Sequence, residues 1–290
     1  MDRLVFLVGT GLARGVVYAL FALSLVLIWR ATRIVNFAAG AMAVVGVYLA
    51  VYVTGLTGSY WWGVVAAVVG GGLLGFVVER FVMRWARSPL SGVILAIGLV
   101  MVLQSGLGIL FGQAYEPVPP PFDDRPLHLG GVPLLSPYGL FVVATALVLM
   151  AGLRLLFART DLGLRLRAAA FEPEVARLLG VRVDRTRTIG WVLAAAVASL
   201  AALLAVPTEL GLNPHATDLL FVYAFTVAVV GGLDSPAGAL LGGVVVGVVM
   251  SLVTGYLGAS VAPVAVLVLL VLVLLVRPDG LVATSRARRV

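Results

Sequence analysis

The chain has 290 residues, of which 62% are hydrophobic and 11% are charged, with a formal net charge of +7. Soluble domains are nearer half apolar and a quarter charged, so this composition excludes an ordinary soluble enzyme and a disordered protein. The absence of cysteine excludes disulfide frameworks and thiolate metal sites. All cationic residues are arginine, so the phosphate-binding loop motif that requires lysine is also excluded. We therefore expect an all-α polytopic membrane protein.

Charge-poor runs predict the membrane-spanning helices. A span needs roughly 20 mostly apolar residues, and the chain holds material for about nine spans, with eight to ten as the accepted range. The runs are residues 4–29, 34–78, 88–115, 126–153, 188–208, 219–233 and 235–276, of which 34–78 and 235–276 each hold two spans. Residues 1–290 are thus expected to form a single transmembrane domain.

The arginines predict the orientation of this bundle. An odd number of spans places the termini on opposite sides, and a cytoplasmic C-terminus leaves seventeen of the twenty arginines in the cytoplasm. Cytoplasmic loops concentrate Lys and Arg, so we expect the N-terminus outside and the C-terminus inside. No basic stretch is interleaved with aromatic residues on a soluble fold, so the lipid bilayer, and not nucleic acid, is the expected partner of this charge.

Two connections are long enough to have functions of their own. Residues 113–136 form the predicted extracytoplasmic loop, which contains six of the 14 prolines and should be stiff. Within it, residues 127–132 can turn as a hairpin. This loop is either a passive lid or a docking surface. Residues 159–187 form the predicted cytoplasmic loop.

The cytoplasmic loop contains a predicted two-turn helix. Its residues are Glu172, Pro173, Glu174, Val175, Ala176, Arg177, Leu178, Leu179 and Gly180. Proline suits the first turn, glutamate suits the positive end of the helix dipole, and glycine suits the position after the last turn. The apolar residues 175, 178 and 179 share one face. Because so short a helix is marginal in water, it must rest on its own protein or on headgroups, or dock in a groove of another protein.

Two polar residues are notable in or beside the first two spans. Arg14 is the only charge near the middle of a span, where a charge usually marks a functional site or a partner. We interpret it either as structural, including a position at a break that follows a half-helix over 9–15, or as attracting an anion. Asn36 lies four residues before Gly40, so we expect both on one face of the second helix. Asn36 then makes an interhelical hydrogen bond or lines a pathway or gate.

Glycines four residues apart recur along the spans. They predict close helix packing or, as the alternative, sliding surfaces between helices. The pairs are Gly11/Gly15, Gly71/Gly75, Gly108/Gly112, Gly238/Gly242 and Gly243/Gly247.

Five segments together resemble the permeases of branched-chain amino-acid ABC importers, in their LivH-type form. Residues 159–187 resemble the EAA coupling loop of such permeases. Tyr18-Ala-Leu, preceded by Gly11 and Gly15, is similar to their first helix. Residues 33–40 (R-I-V-N-F-A-A-G) resemble the N-F-A-H-G signature, residues 230–242 the glycine-rich block, and residues 277–281 (R-P-D-G-L) the R-P-x-G-L ending. One departure is that Ala39 and Ala41 replace the histidine and the following acidic residue of the family.

The resemblance implies a permease subunit in the plasma (inner) membrane of a prokaryote, which forms a path for branched-chain or related amino acids, with amides or urea as further candidates. It implies three kinds of protein partner: cytoplasmic ATPase subunits, a second permease subunit, LivM-type or identical, and an extracytoplasmic substrate-binding protein. Residues 172–180 would form the coupling helix. Tyr18, Asn36, Phe37 and Gly40 are the candidates for the translocation path.

Two other classes of function require residues that the sequence does not provide. An ion-coupled secondary transporter of a small polar solute needs ionisable groups at mid-depth, whereas the spans contain only Arg14, with Glu79, Glu209 and Asp218 at their ends. An intramembrane enzyme needs a carboxylate pair, a Ser/His pair or metal-ligand spacing, and the sequence contains none of these patterns. We therefore expect neither an enzyme nor a cofactor or metal site.

Overall fold

The computed structural model describes residues 2–86, 88–129, 132–133, 135–208, 211–277 and 280–282. Helices dominate this part of the chain. They are α1 (Asp2–Thr32), α2 (Ala39–Thr57), α3 (Tyr60–Val77), α4 (Pro89–Phe111), α5 (Pro137–Arg159), α6 (Asp161–Phe171), α7 (Pro173–Leu178), α8 (Val183–Ala205), α9 (Asp218–Gly231), α10 (Pro236–Leu257) and α11 (Ala262–Val276). A π-helical turn, Val78–Val82, and a 3-10 turn, Met83–Trp85, extend α3. Glu209 and residues 278–279 of the terminal motif lie outside the described residues.

Eight of the described helices are long and apolar enough to cross a membrane: α1, α2, α3 with its extension, α4, α5, α8, α10 and α11. A ninth apolar helix, α9, has 14 residues. The all-α polytopic fold predicted from composition is confirmed, and the helix count falls within the predicted range.

The extended segments are short. Strand β1 (His128–Leu129) pairs antiparallel with β2 (Val132–Pro133), with His128 opposite Pro133 and Leu129 opposite Val132. The hairpin predicted at residues 127–132 is therefore present, although its turn residues 130–131 lie outside the described part of the chain.

Three Ser-Pro pairs begin helices in the same way. Ser88, Ser136 and Ser235 each occupy the N-cap, and each hydroxyl accepts a hydrogen bond from the backbone N–H three residues later, at 3.2, 3.0 and 2.9 Å. The proline that follows occupies the first helical position, where its missing N–H costs nothing. These local signals explain why α4, α5 and α10 begin where they do.

Small residues set the packing of the central helices. α1 packs along α10 and also contacts α8 and α9, while α8 packs against α2 and α3. A side chain at Gly11 would collide with the backbone of α10, because its Cβ would lie 2.8 Å from Val248 Cα. Gly75 of α3 lies equally close to Trp191 O of α8, at 2.7 Å for an added Cβ. These glycines thus allow the close helix approach that was predicted for them.

Two expectations about the glycines and α1 are wrong. The three atoms nearest to an added Cβ at Gly108 all belong to Gln113, and Gly112 ends α4 with a φ of +84°. Among the described residues this pair therefore terminates a helix, and its nearest neighbour is not another helix. The half-helix expected over residues 9–15 does not occur either, because α1 continues without a break through this region.

Helix α2 begins inside the bundle, not at its edge. Ser199 of α8 lies directly against Gly46 of α2 and Gly71 of α3, so these three positions are at one level. The start of α2 is also buried, since Ala38 and Ala39 are 0% and 3% exposed.

Candidate functional site

A non-helical segment, residues 33–38, links α1 to the buried start of α2. Arg33 ends α1 in the left-handed conformation, with a φ of +57°. Its Nη1 lies 2.5 Å from Asp234 Oδ1, and Trp29 Nε1 donates to the same oxygen at 3.3 Å. These contacts hold the segment to the connection between α9 and α10.

Asn36 organises the backbone of this segment. Its side chain is 2% exposed, its Oδ1 accepts from Ala38 N at 3.0 Å, and its Nδ2 lies 3.5 Å from Met42 Sδ. The amide thus forms a local turn that starts α2 and satisfies backbone groups away from water. The expectation that Asn36 lies on a helix face with Gly40 is wrong, because α2 begins only at Ala39.

The N-terminus of α9 meets the N-terminus of α2. Thr217 Oγ1 donates to Gly40 O at 2.8 Å, and a Cβ added at Gly40 would lie 3.2 Å from Phe221 Cβ. The approach to α9 repeats the turn before α2, because Asn213 Oδ1 accepts from His215 N at 3.1 Å. Two helices that each follow an asparagine-based turn therefore abut in the interior of the protein.

Aromatic rings cover two faces of α9 beside this junction. The ring of Phe37 lies 6.3 Å from Phe221 and 6.1 Å from Phe225, which are one helical turn apart. Tyr18 of α1 stacks on Tyr223 at 4.9 Å. Since residues two apart on a helix do not face the same way, Tyr18 and Phe37 touch different faces of α9. The structure thus brings Asn36, Phe37 and Gly40 together and places Tyr18 across α9 from them.

A polar group at the start of α9 was not singled out from the sequence. Gln104 Nε2 of α4 donates to Asp218 Oδ1 at 2.7 Å, and His215 Nδ1 lies 3.0 Å from Asp218 Oδ2. The carboxylate sits at the positive end of the helix dipole. An acidic residue after a threonine at a helix start was the available signal, but the contribution of Gln104 depends on tertiary structure. Over the described residues, no three His, Asp or Glu are grouped closely enough to hold a metal.

Helix α7 is a short, rigidly ended element that packs on its neighbours through small residues. Gly180 has a φ of +83°, its N–H donates to Arg177 O at 3.0 Å, and Val181 N donates to Ala176 O at 2.9 Å. This bond pair is a Schellman motif, so the glycine ends the helix as expected. Ala176 is buried together with Ala169 of α6 and with Val183 of α8.

The apolar stripe of α7 faces away from the protein. Val175, Leu178 and Leu179 are 49%, 87% and 78% exposed. Arg177 Nη2 lies 3.6 Å from Asp184 Oδ1, with both side chains exposed. The large apolar side chains are therefore unpartnered, while a small residue carries the internal contact.

Arg14 is exposed on α1, one helical turn from the buried Tyr18. No hydrogen bond or ion pair of its guanidinium occurs with the described residues. Arg14 therefore lies on the outer surface of this subunit, although α1 is an apolar helix.

Comparison with known proteins identifies the family. A model of the branched-chain amino acid transport system permease component matches residues 7–276. LivH of Salmonella typhimurium, a high-affinity branched-chain amino acid transport system permease protein, is 28% identical over 97% of this chain and 96% of its own length. BraD of Pseudomonas aeruginosa is 30% identical over the same shares. A probable LivH permease of Methanocaldococcus jannaschii is 30% identical over 90% of this chain and 87% of its own.

A solved structure supports the fold. PsaBC from Streptococcus pneumoniae, determined in complex with Fab, superposes with a TM-score of 0.52 over 93% of this chain and 91% of its own, at 13% identity. With its apolar helices and these relatives, the chain is a multi-pass protein of a prokaryotic plasma membrane. It belongs to the family of branched-chain amino acid transport permeases.

Proposed function

We propose that this chain is the permease subunit of an ABC importer whose cytoplasmic ATPase docks on α7. The observation that carries the proposal is the outward apolar face of a helix with a rigid stop. Fully burying a valine or leucine side chain is worth roughly 1.5–3 kcal/mol, so Val175, Leu178 and Leu179 could supply most of a groove contact. Family membership favours this importer over the ion-coupled secondary transporter.

The packing of α7 argues against the alternative that it rests on its own protein. Ala176 provides the internal contact, and the larger apolar residues point outward. Contact with lipid headgroups remains as the competing explanation for the exposed leucines. The two explanations differ in their tolerance of size, because a fitted groove rejects a bulky ring that a membrane interface accepts.

The test is Leu178→Asp, which places a charge in the proposed groove. We expect the ATPase to dissociate from the membrane complex, or its hydrolysis to lose its response to substrate, with normal insertion of the permease. Co-purification and substrate-stimulated hydrolysis measure these effects. Leu56→Asp, at a comparably exposed leucine at the far end of α2, is the matched control.

A second variant separates a groove from a lipid surface. Leu178→Trp keeps the side chain apolar, so it should also weaken ATPase association if the site is a groove. Wild-type association and coupling in both Leu178 variants would contradict the proposal. Loss in the aspartate variant alone would assign α7 to the headgroups.

We propose that the α2–α9 junction lines the translocation path, with Tyr18, Asn36, Phe37 and Gly40 as its residues. Non-helical backbone inside a membrane protein occurs where it is buried in protein or lines a cavity, and both segments preceding these helices are of this kind. The proposed cargo is a branched-chain or related amino acid, with amides or urea as further candidates.

Arg14 faces outward one turn from Tyr18, which favours anion attraction beside a second permease subunit, LivM-type or identical.

We propose that the loop over residues 113–136 receives an extracytoplasmic substrate-binding protein. Glu116 and Leu212 exchange two backbone hydrogen bonds, at 2.9 and 2.7 Å. This pairing joins the loop to the segment that enters α9, so a protein bound to the loop could act on the proposed path.

Deleting residues 126–133 tests the role of this loop and leaves the Glu116–Leu212 pairing in place. We expect stimulation of ATP hydrolysis by the loaded binding protein to fall severalfold, while basal hydrolysis persists. Unchanged stimulation would make the loop a passive lid.

A further inference from the structure

A cavity of about 580 Å³ lies between the π-helical turn after α3 and the first turns of α8. Its volume falls in the range typical of small-molecule sites, about 300–1,000 Å³. It is separate from the α2–α9 junction and from the exposed face of α7, since it shares no residue with either. Nothing in the proposed transport function uses it.

One part of the cavity wall is strongly basic. Arg80 and Arg84 come from the extension of α3, and Arg185 and Arg187 come from α8. Because the two helices bring four guanidinium groups to one cavity, this wall should attract an anion.

The carboxylates in the wall offset at most half of this charge. Glu79 is buried, its Oε2 accepts from Thr188 Oγ1 at 2.7 Å, and its Oε1 lies 4.0 Å from Arg187 Nε. Asp184 is paired with Arg177, outside the cavity. The Nε of Arg187 is buried without a hydrogen-bond acceptor among the described residues. Two carboxylates therefore face four arginines, and one buried donor has no acceptor.

The rest of the wall is apolar and lies deeper in the bundle. Phe76 precedes Arg80 by one turn of α3, on the side away from the basic end. Val192 and Leu193 follow the arginines of α8 in the same direction. On both helices, therefore, the arginines lie at the outer end of the cavity and the apolar side chains lie further inside the bundle. A water-soluble anion would contact only the arginines, whereas an amphiphile would contact both the arginines and the apolar wall.

We propose that this cavity binds one anionic phospholipid of the leaflet at the basic end. The phosphate lies among Arg80, Arg84 and Arg185, and an acyl chain lies along Phe76 and Val192. Basic pockets between membrane helices bind anionic headgroups in this way, through charge attraction near the surface. An acidic surface of a partner protein would satisfy the arginines but would not reach the apolar depth.

The test uses the full-length chain in nanodiscs of equimolar phosphatidylglycerol and phosphatidylcholine, followed by native mass spectrometry in mild detergent. We expect phosphatidylglycerol to be retained over phosphatidylcholine. Arg80→Gln with Arg84→Gln should reduce the retained phosphatidylglycerol on the order of tenfold to thirtyfold, since each arginine near an anionic surface contributes about fivefold. Arg154→Gln with Arg159→Gln, two exposed arginines of α5 outside the cavity, is the matched control and should retain the lipid.

A second variant tests the apolar depth and does not alter charge. Val192→Trp should fill the acyl part of the cavity and reduce lipid retention, and inorganic phosphate at millimolar concentration should not displace the lipid from the wild type. Equal retention of the two lipids, displacement by phosphate, or equal loss in the α5 control would overturn the proposal. So would loss of a co-purifying ATPase from the α3 double variant with its lipid unchanged.

Discussion

The central and peripheral helices of this protein differ sharply in burial although both groups are strongly apolar. In the apolar stretches of α1 and α8, 83% and 78% of the residues are buried, against 17% in α4 and 11% in α11. The least buried of them, α11, has the highest mean hydropathy of the eight spans. Apolarity therefore does not decide which helix is central in a membrane.

Side-chain size separates α8 and α10 from α11. α11 consists almost entirely of valine and leucine, whereas α8 is rich in alanine and α10 in glycine. Lipid tails are as apolar as leucine, so there is little gain in burying a leucine-rich helix. Small residues allow backbones to approach, and that contact is available only from another helix. The burial of α8 and α10 thus accompanies small residues placed at helix contacts and not hydrophobicity, whereas α4 has four glycines and is still largely exposed.

Of the substitutions that test this comparison, Gly11→Leu should destabilise the protein most. The new Cβ would lie 2.8 Å from Val248 Cα and 2.9 Å from Gly247 O, and backbone atoms cannot move aside cheaply. We expect a loss of roughly 3 kcal/mol or more, at the upper end of overpacking effects, seen as a lower unfolding temperature of the purified chain.

Two controls accompany this substitution. Gly98 of α4 and Gly9 of α1 have no atom within 4 Å of an added Cβ, so leucine at either position should be tolerated and should favour the helix by up to about 1 kcal/mol. Equal destabilisation by leucine at Gly98 and at Gly11 would contradict the conclusion that small residues matter at the contacts of the central helices.

Asn36→Leu should have an intermediate effect. The substitution removes the acceptor for Ala38 N in a buried turn, which should cost about 1–3 kcal/mol and shift the start of α2. We expect impaired uptake by an assembled complex, measured with radiolabelled substrate alongside a co-purification assay. Asn213→Leu removes the corresponding turn before α9 and should behave alike. Normal uptake by an assembled Asn36→Leu complex would remove Asn36 from the path.

Arg33→Ala should have the smallest effect. Both side chains of its ion pair with Asp234 are exposed. Exposed ion pairs contribute about 0–1 kcal/mol to the free energy of unfolding. We expect the variant to unfold at a slightly lower temperature than the wild type. This difference should become smaller as salt is added, because salt screens the ion pair in the wild type. A loss as large as that of Gly11→Leu would show that the Arg33–Asp234 ion pair contributes as much to stability as the packing of α1 on α10.

Much of the candidate site followed from local sequence. The caps of α7 were predicted correctly because a proline in the first turn and a glycine after the last turn act within a few residues. The break before α2 was missed. Residues 34–38 contain no glycine or proline, and their apolar residues read as the start of a span. Only Asn36, which can bond its own backbone, hinted at a turn.

The sequence by itself determined that this protein is a helical membrane bundle, where the Ser-Pro pairs begin helices, and to which family it belongs. These properties depend on composition, on caps and on motifs that are each contained in a short stretch. Only the tertiary structure decided that α2 and α9 meet in the interior, that Gln104 reaches Asp218, and that arginines of α3 and α8 share one cavity. The reason is physical: non-helical backbone inside a membrane is stable only when distant parts of the chain surround it and satisfy its polar groups.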